Sequence, residues 1–175
     1  MNDIFVQRSF DPPLDDESFD SMARDAMGCL DLYRVQWRQS FLSLDGRRLI
    51  CWFSAPDAES TRLALRQAGS HEALPWPGTI HDSAAADAPP AEEANVVVER
   101  SWSSPVTIDE IQAIEDAGIQ CLESRNVRFS RTFFSRDRKR MVCLYRAPDA
   151  EAVREAQRQA GLPVDSVWGF RLKAA

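Results

Sequence analysis

Histidine is almost missing from this chain: His71 and His81 are the two among 175 residues. Imidazole is a usual ligand of transition metals, so the sequence holds few donors of that kind. Cysteine occurs four times, at Cys29, Cys51, Cys121 and Cys143, never as Cys-x-x-Cys. That spacing excludes a zinc ribbon and a thioredoxin-type site, and free thiols in a reducing compartment are expected. Basic charge is also in deficit. Lys and Arg total 21 against 27 Asp and Glu, for a net charge of −6 and a pI near 5.0. An acidic surface repels phosphate backbones, so no nucleic-acid partner is expected. No apolar run is long enough to span a bilayer, and the first residues lack the basic-then-hydrophobic layout of a signal peptide. A cytoplasmic protein without a membrane partner follows as the expectation. A glycine-rich phosphate loop, a Gly-x-Ser-x-Gly elbow and a His-Glu-x-x-His helix are all lacking.

What the chain does have is a repeat. Cys51 to Glu59 reads Cys-Trp-Phe-Ser-Ala-Pro-Asp-Ala-Glu, and Cys143 to Glu151 reads Cys-Leu-Tyr-Arg-Ala-Pro-Asp-Ala-Glu, 92 residues later. At the same offset Arg8-Ser9 falls on Arg100-Ser101, Pro13 on Pro105, Cys29-Leu30 on Cys121-Leu122 and Trp76 on Trp168. Arg66-Gln67-Ala68-Gly69 falls on Arg158-Gln159-Ala160-Gly161. Register kept over half a chain marks a duplicated unit. Residues 82–94 between the copies are rich in Ala, Pro, Asp and Glu and read as a flexible acidic linker. The expected domains are residues 1–81, that linker, and residues 95–175.

Each copy gives the same sequence of elements. Ile4 to Phe10 alternates as a strand does. Asp15 and Thr107 stand at helix N-caps, and Thr107 with Glu110 makes a capping box. The helices that follow should bury Phe19, Met22, Ala26 and Leu30 in one copy, and Ile108, Ile111, Ile114 and Ala117 in the other. Asp45-Gly46 joins two apolar strands as a hairpin turn, and Asp137-Arg138 is a poorer version of it. Pro56 and Pro148 stop the strands. Asp57 and Asp149 cap the second helices, and Gly69 and Gly161 end them. A last strand carries Trp76 or Trp168. The order β-α-β-β-α-β is the split βαβ of the ferredoxin-like fold. The fold class expected is therefore α+β, with two tandem ferredoxin-like units forming a pseudo-dimeric α/β barrel.

Helices on one face of each sheet leave the other face open for a ligand. The hairpin register pairs Leu42 with Leu49 and Ser40 with Cys51. If Trp37, Phe41, Ile50 and Trp52 share one face, then Arg38, Ser40, Cys51 and Phe53 take the open one. Ser130, Thr132, Cys143 and Tyr145 are their counterparts. Gln7, Ser9, Glu99, Ser101 and His81 are expected on the open side too. The candidate ligand-binding residues are Gln7, Arg38, Cys51, Arg128, Thr132, Cys143 and Tyr145, lining a semi-polar cavity between the two sheets. Glu99 and His81 are the candidate catalytic groups. Glu99 could equally serve in an ion pair with Arg38 or Arg128 that holds the halves together. Cys51 and Cys143 could be thiolate ligands or nucleophiles, or small residues in packed strands.

The repeated Cys-x-x-x-Ala-Pro-Asp-Ala-Glu stretch, with Val98-Glu99-Arg100, Cys143-Leu144-Tyr145, Ala147-Pro148 and Ala160-Gly161-Leu162-Pro163, resembles a known family. It is similar to the domain of unknown function 4242, small ferredoxin-like proteins of which some are called nickel-binding. The resemblance covers most of residues 95–172 and, more weakly, 4–80. There Gln7 stands for Glu99, and Ser70-His71 for Leu162-Pro163. It implies a ferredoxin-like, cytoplasmic protein linked to a metal, with nickel as the cofactor so implied. The leading expectation is a protein that binds a small molecule or a transition metal, as a monomer with an internal pseudo-dimer or as a homodimer. Two alternatives stand beside it. One is a cofactor-independent monooxygenase, isomerase or cyclase of the dimeric α/β-barrel type, with Glu99 or His81 moving a proton. The other is a protein-interaction module.

Overall fold

In the computed structural model, which describes residues 1–174, the alternating stretch near the start forms β1 (Asn2–Ser9). Asp15 then caps α1 (Asp16–Leu32), its carboxylate accepting from the Ser18 amide at 2.7 Å. β2 (Gln36–Ser43) and β3 (Arg48–Ala55) form a hairpin. The Pro56 stop and the Asp57 cap lead into α2 (Ala58–Gln67), and β4 (Trp76–Asp82) follows. The second series is β5 (Val96–Ser101), α3 (Ile108–Ala117), α4 (Ile119–Glu123), β6 (Arg128–Ser135), β7 (Arg140–Arg146), α5 (Ala150–Ala160) and β8 (Ser166–Ala174). Ala175, the last residue of the expected second repeat, lies outside the described residues. The chain divides into two compact units: Met1–Gly78 with the stretch from Arg171, and Thr79–Phe170.

Both units show the ferredoxin-like strand order. In the first, β1 lies between β4 and β3, and β3 pairs with β2, all antiparallel. In the second, β5 lies between β8 and β7, and β7 pairs with β6. The caps fall on the expected residues. Thr107 and Glu110 exchange the two bonds of a capping box, and Asp149 accepts from the Ala152 amide. Leu42 pairs with Leu49 and Ser40 with Cys51, as the hairpin register requires.

The two hairpin turns are alike in geometry although their residues differ. Gly46 donates its amide to Ser43 O at 2.9 Å, and Arg138 does the same to Ser135 O. Both sit in the left-handed region, at φ 72° and 61°. Glycine takes that conformation freely, and arginine pays about 1–2 kcal/mol for it. Gly46 is also pinned sterically: a Cβ there would come within 2.3 Å of Leu14 O.

The expected helix face of the second unit needs correction. Ile111 is buried, but Ile114 is 38% exposed and Ala117 is exposed, whereas Glu115 is 92% buried. The chain breaks between α3 and α4 at Gly118, which stands where α1 has Ala26. A Cβ on Gly118 would meet the Ala160 Cβ at 2.5 Å, so the absent side chain lets α5 approach closely. The break rotates the buried stripe, which then runs through Ile111, Glu115 and Leu122.

The expected sheet faces are also reversed in part, although the hairpin register is correct. Val6 lies opposite Cys51, and Ile4 opposite Phe53. Directly opposed residues share a face. Cys51 and Phe53 therefore join Val6 and Ile4 under the helices, with Leu49 and Leu42. In the second unit Val98 opposes Cys143, and Val96 opposes Tyr145, which brings Cys143 and Tyr145 under α3 and α5. A bulge between Trp37 and Gln39 turns Trp37 to the helix side as well. The other face of the first sheet carries Phe5 with Trp76 and Trp52, at ring-centroid distances of 4.8 and 6.4 Å.

Candidate functional site

Beneath the helices of the second unit lies a buried polar cluster that begins on β5. Arg100 follows the strand alternation inward with Val98 and has 1% of its surface exposed. Its Nη2 donates to Gln157 Oε1 of α5 at 2.8 Å and to the Tyr145 hydroxyl of β7 at 3.2 Å. Tyr145 in turn donates to Glu115 Oε1 of α3 at 2.8 Å. The Glu115 carboxylate lies 3.6 Å from Arg100 Nη2. Arg100 Nε and Nη1 and Gln157 Nε2 are buried without a hydrogen-bond partner. Such a cluster holds donors in reserve for an oxygen acceptor.

Burial governs its proton affinities. Desolvation raises the Glu115 carboxyl above its ordinary value, although Arg100 and the Tyr145 hydroxyl oppose the rise. Desolvation likewise drives the Tyr145 hydroxyl well above the usual phenol range, with the Glu115 charge adding to it. Burial works against the Arg100 charge, but Tyr145, Cys143 and Glu115 around it outweigh burial, so the guanidinium stays protonated. A protonated carboxyl can both donate and accept, and burial shifts Glu115 toward that form.

Glu115 also lines a groove of about 570 Å³. Its apolar wall includes Ile108, Ile119, Leu122, Val127 and Phe129. Residues 81–85 and 87–89 also line it, all but His81 from the stretch 82–94 that the sequence reads as a linker. His81 and Arg128 both line this groove. His81 shares a 2.7 Å hydrogen bond with Thr79, and exposed Arg128 forms an ion pair of 2.8 Å with Asp87.

The remaining residues singled out by the sequence are dispersed. Gln7 accepts from Trp76 Nε1 at 3.1 Å, and Glu99 accepts from Trp168 Nε1 at 2.9 Å and from the Ser166 hydroxyl. These are equivalent positions in the two copies, on the face opposite the helices. Arg38 is exposed and lies 6.0 Å from the Trp52 ring centroid. Cys51 accepts from Ser40 at 3.1 Å, and Cys143 lies 2.7 Å from the Thr132 hydroxyl, both thiols on the helix side. Burial pushes each thiol up to about 11, so both stay protonated near neutral pH. That chemistry suits packed strand residues rather than nucleophiles.

Arg100, Glu115 and Gln157 do not figure among the residues expected from the sequence. A signal for them exists at the 92-residue offset, where Ala23 becomes Glu115, Phe53 becomes Tyr145 and Leu65 becomes Gln157. Nickel, which the family resemblance implies, is a poor match to the donors. Among the described residues no three His, Cys, Asp or Glu side chains come together as a metal site would need. The thiols that could serve are held neutral by burial.

The fold shared with known structures defines the class first. An anthrone oxidase-like protein matches 99% of this chain and 92% of its own length at 11% identity, with a TM-score of 0.51. A doubly substituted chlorite dismutase from Candidatus Nitrospira defluvii matches 98% of this chain and 90% of its own at 11% identity and TM-score 0.50. At such identities the likeness is one of fold alone, mixed α+β, and the neighbours are dimeric α/β-barrel proteins. The family is narrower. The model described as nickel responsive protein SCO4226-like matches residues 5–73 and again 97–169, so the chain belongs to the SCO4226-like family. That family is closely related to the domain of unknown function 4242. The SCO4226 structure from Streptomyces coelicolor A3(2) matches over its whole length and 46% of this chain, at 23% identity and TM-score 0.42. No curated protein matches the chain.

Proposed function

We propose that the chain is a small-molecule-binding protein whose site is the groove of the second unit. The observation that carries this reading is Glu115: a buried carboxyl, hydrogen-bonded to Tyr145 and with its proton affinity raised by burial, in the lining of a groove of about 570 Å³. The apolar wall accepts an aromatic or alicyclic body, and Glu115 accepts or donates one hydrogen bond to a hydroxyl or carbonyl on it. Arg128 and His81 contact the exposed end of the ligand. The four free thiols fit a reducing, cytoplasmic setting. Nickel enters, on this reading, as a property of the family's name rather than as an ion resident in this groove.

The test is a titration of the whole protein with 2-naphthol, followed by amide chemical shifts. Shifts at residues 81–89, 108–123 and 127–129, lost on Ile119→Arg, are expected. Shifts elsewhere, or none, overturn the reading. A parallel titration with nickel chloride should leave those amides unmoved.

A second reading is supported by the same carboxyl. A glutamate whose proton affinity is raised by burial, beside a tyrosine, is suited to general acid–base work. Glu115, rather than Glu99, would then move the proton in an isomerase- or cyclase-type reaction. The Glu99 carboxylate already accepts from two neighbours.

A further inference from the structure

The first unit keeps the inward arginine of the second and none of its polar partners. Arg8 stands where the second unit has Arg100, but Ala23, Phe53 and Leu65 stand at the positions of Glu115, Tyr145 and Gln157. The Arg8 guanidinium is left with a 3.3 Å contact from Nη1 to Met22 Sδ and lies 4.8 Å from the centre of the Phe10 ring. Among the described residues no carboxylate forms an ion pair with it. Burial lowers its proton affinity, and Cys51 opposes this. A half-buried cation facing apolar groups carries a desolvation cost that an anion would offset.

Space for one is present. A cavity of about 40 Å³ lies between the helices and the sheet, lined by Arg8, Phe19, Met22, Leu30, Ser40 and Leu65, with Ala23 in its wall. That is room for about three water-sized groups at roughly 10–15 Å³ each. Arg8 and Ser70 also line a polar outer groove with His71 and Glu72, so these two residues stand between the groove and the cavity.

We propose that this cavity is a site for a short-chain aliphatic carboxylate, paired through its carboxylate with Arg8 and placing its alkyl tail among Phe19, Met22 and Leu65. The bound carboxylate takes the role that the Glu115 side chain has in the other unit. A bidentate pair with the guanidinium fixes its orientation, and the cavity's size limits the tail to about three carbons. An amine of equal length is repelled by Arg8. The site is independent of the groove proposed above, since its residues belong to the other unit.

Butyrate titrated into the whole protein, followed by calorimetry and amide shifts, tests the site. Saturable binding is expected, with shifts at residues 19–30 and 65–73, and n-butylamine should not bind. Arg8→Met should weaken butyrate at least tenfold. Ala23→Glu supplies an internal carboxylate and should weaken it at least as much. A native circular dichroism spectrum is the condition for reading either variant, and Arg8→Met decides alone if Ala23→Glu does not fold. Absence of butyrate binding, equal binding of butylamine, unchanged affinity in Arg8→Met, or shifts confined to the second unit would each overturn the proposal.

Discussion

The two units use one fold to surround an inward arginine in opposite ways. In the second, Arg100 is enclosed by Glu115, Tyr145 and Gln157. In the first, Arg8 is half-buried among apolar side chains beside a small cavity. Three substitutions at matched positions account for the difference: Ala23 against Glu115, Phe53 against Tyr145, and Leu65 against Gln157. The backbone tolerates either solution because the strands pair identically around both. Val6 opposes Cys51 as Val98 opposes Cys143. The lesson is that a duplicated fold conserves its punctuation of caps and turns while its interior is free to diverge into a charged cluster or a cavity.

The sharpest way to break the comparison is to remove the second unit's carboxylate. Glu115→Ala leaves Arg100 charged and enclosed, and loss of one partner from a buried pair costs about 3–5 kcal/mol. Urea unfolding should show a loss of that size. A loss below about 1 kcal/mol would mean that Arg100 does not need Glu115. Gly46→Ala should come next, at about 2 kcal/mol, from the left-handed backbone and the clash with Leu14 O. The matched change runs the other way. Arg138→Gly relieves the same backbone and should raise stability by about 0.5 kcal/mol once the added freedom of the unfolded chain is subtracted. The smallest effect belongs to Arg8→Leu. No ion pair is broken there, so the change in unfolding free energy should stay within about 0.5 kcal/mol in either direction.

pH separates the units as well. The folded Glu115 carboxyl is raised above its ordinary 4.5, because burial disfavours its charge. The native state therefore holds this proton more tightly than the unfolded chain does. Its contribution to stability is complete below the ordinary value and is lost as pH rises through the folded value. The advantage of the natural protein over Glu115→Gln should accordingly be largest at acid pH and shrink toward neutrality and above. Unfolding free energies of both proteins across that range check it. Ala23 gives the first unit no such dependence.

Much of this architecture could be read from residues. Asp15, Thr107, Asp57 and Asp149 cap as local chemistry requires, and the hairpin register followed from Asp45-Gly46. The sheet faces could not be read as safely. Strand alternation divides residues into two sets, but only the pairing of β1 with β3 shows which set meets the helices, and that register is a long-range fact. Strand β3 is apolar on both sides, so its own pattern could not decide between Cys51 and Trp52. The buried stripe of α3 was obscured by Gly118, whose tight packing against Ala160 is invisible locally. Glu115 therefore fell outside the expected apolar stripe of Ile108, Ile111, Ile114 and Ala117. Comparing the copies position by position would have exposed it, because three apolar residues become polar together.

The central claim is that burial raises the proton affinity of Glu115 inside the second unit. A carbon-13 titration of the glutamate side-chain carboxyls, with Glu115 assigned by its loss in Glu115→Gln, measures this directly. The expected result is a midpoint clearly above 4.5 for Glu115. A midpoint at or below that value would contradict the account.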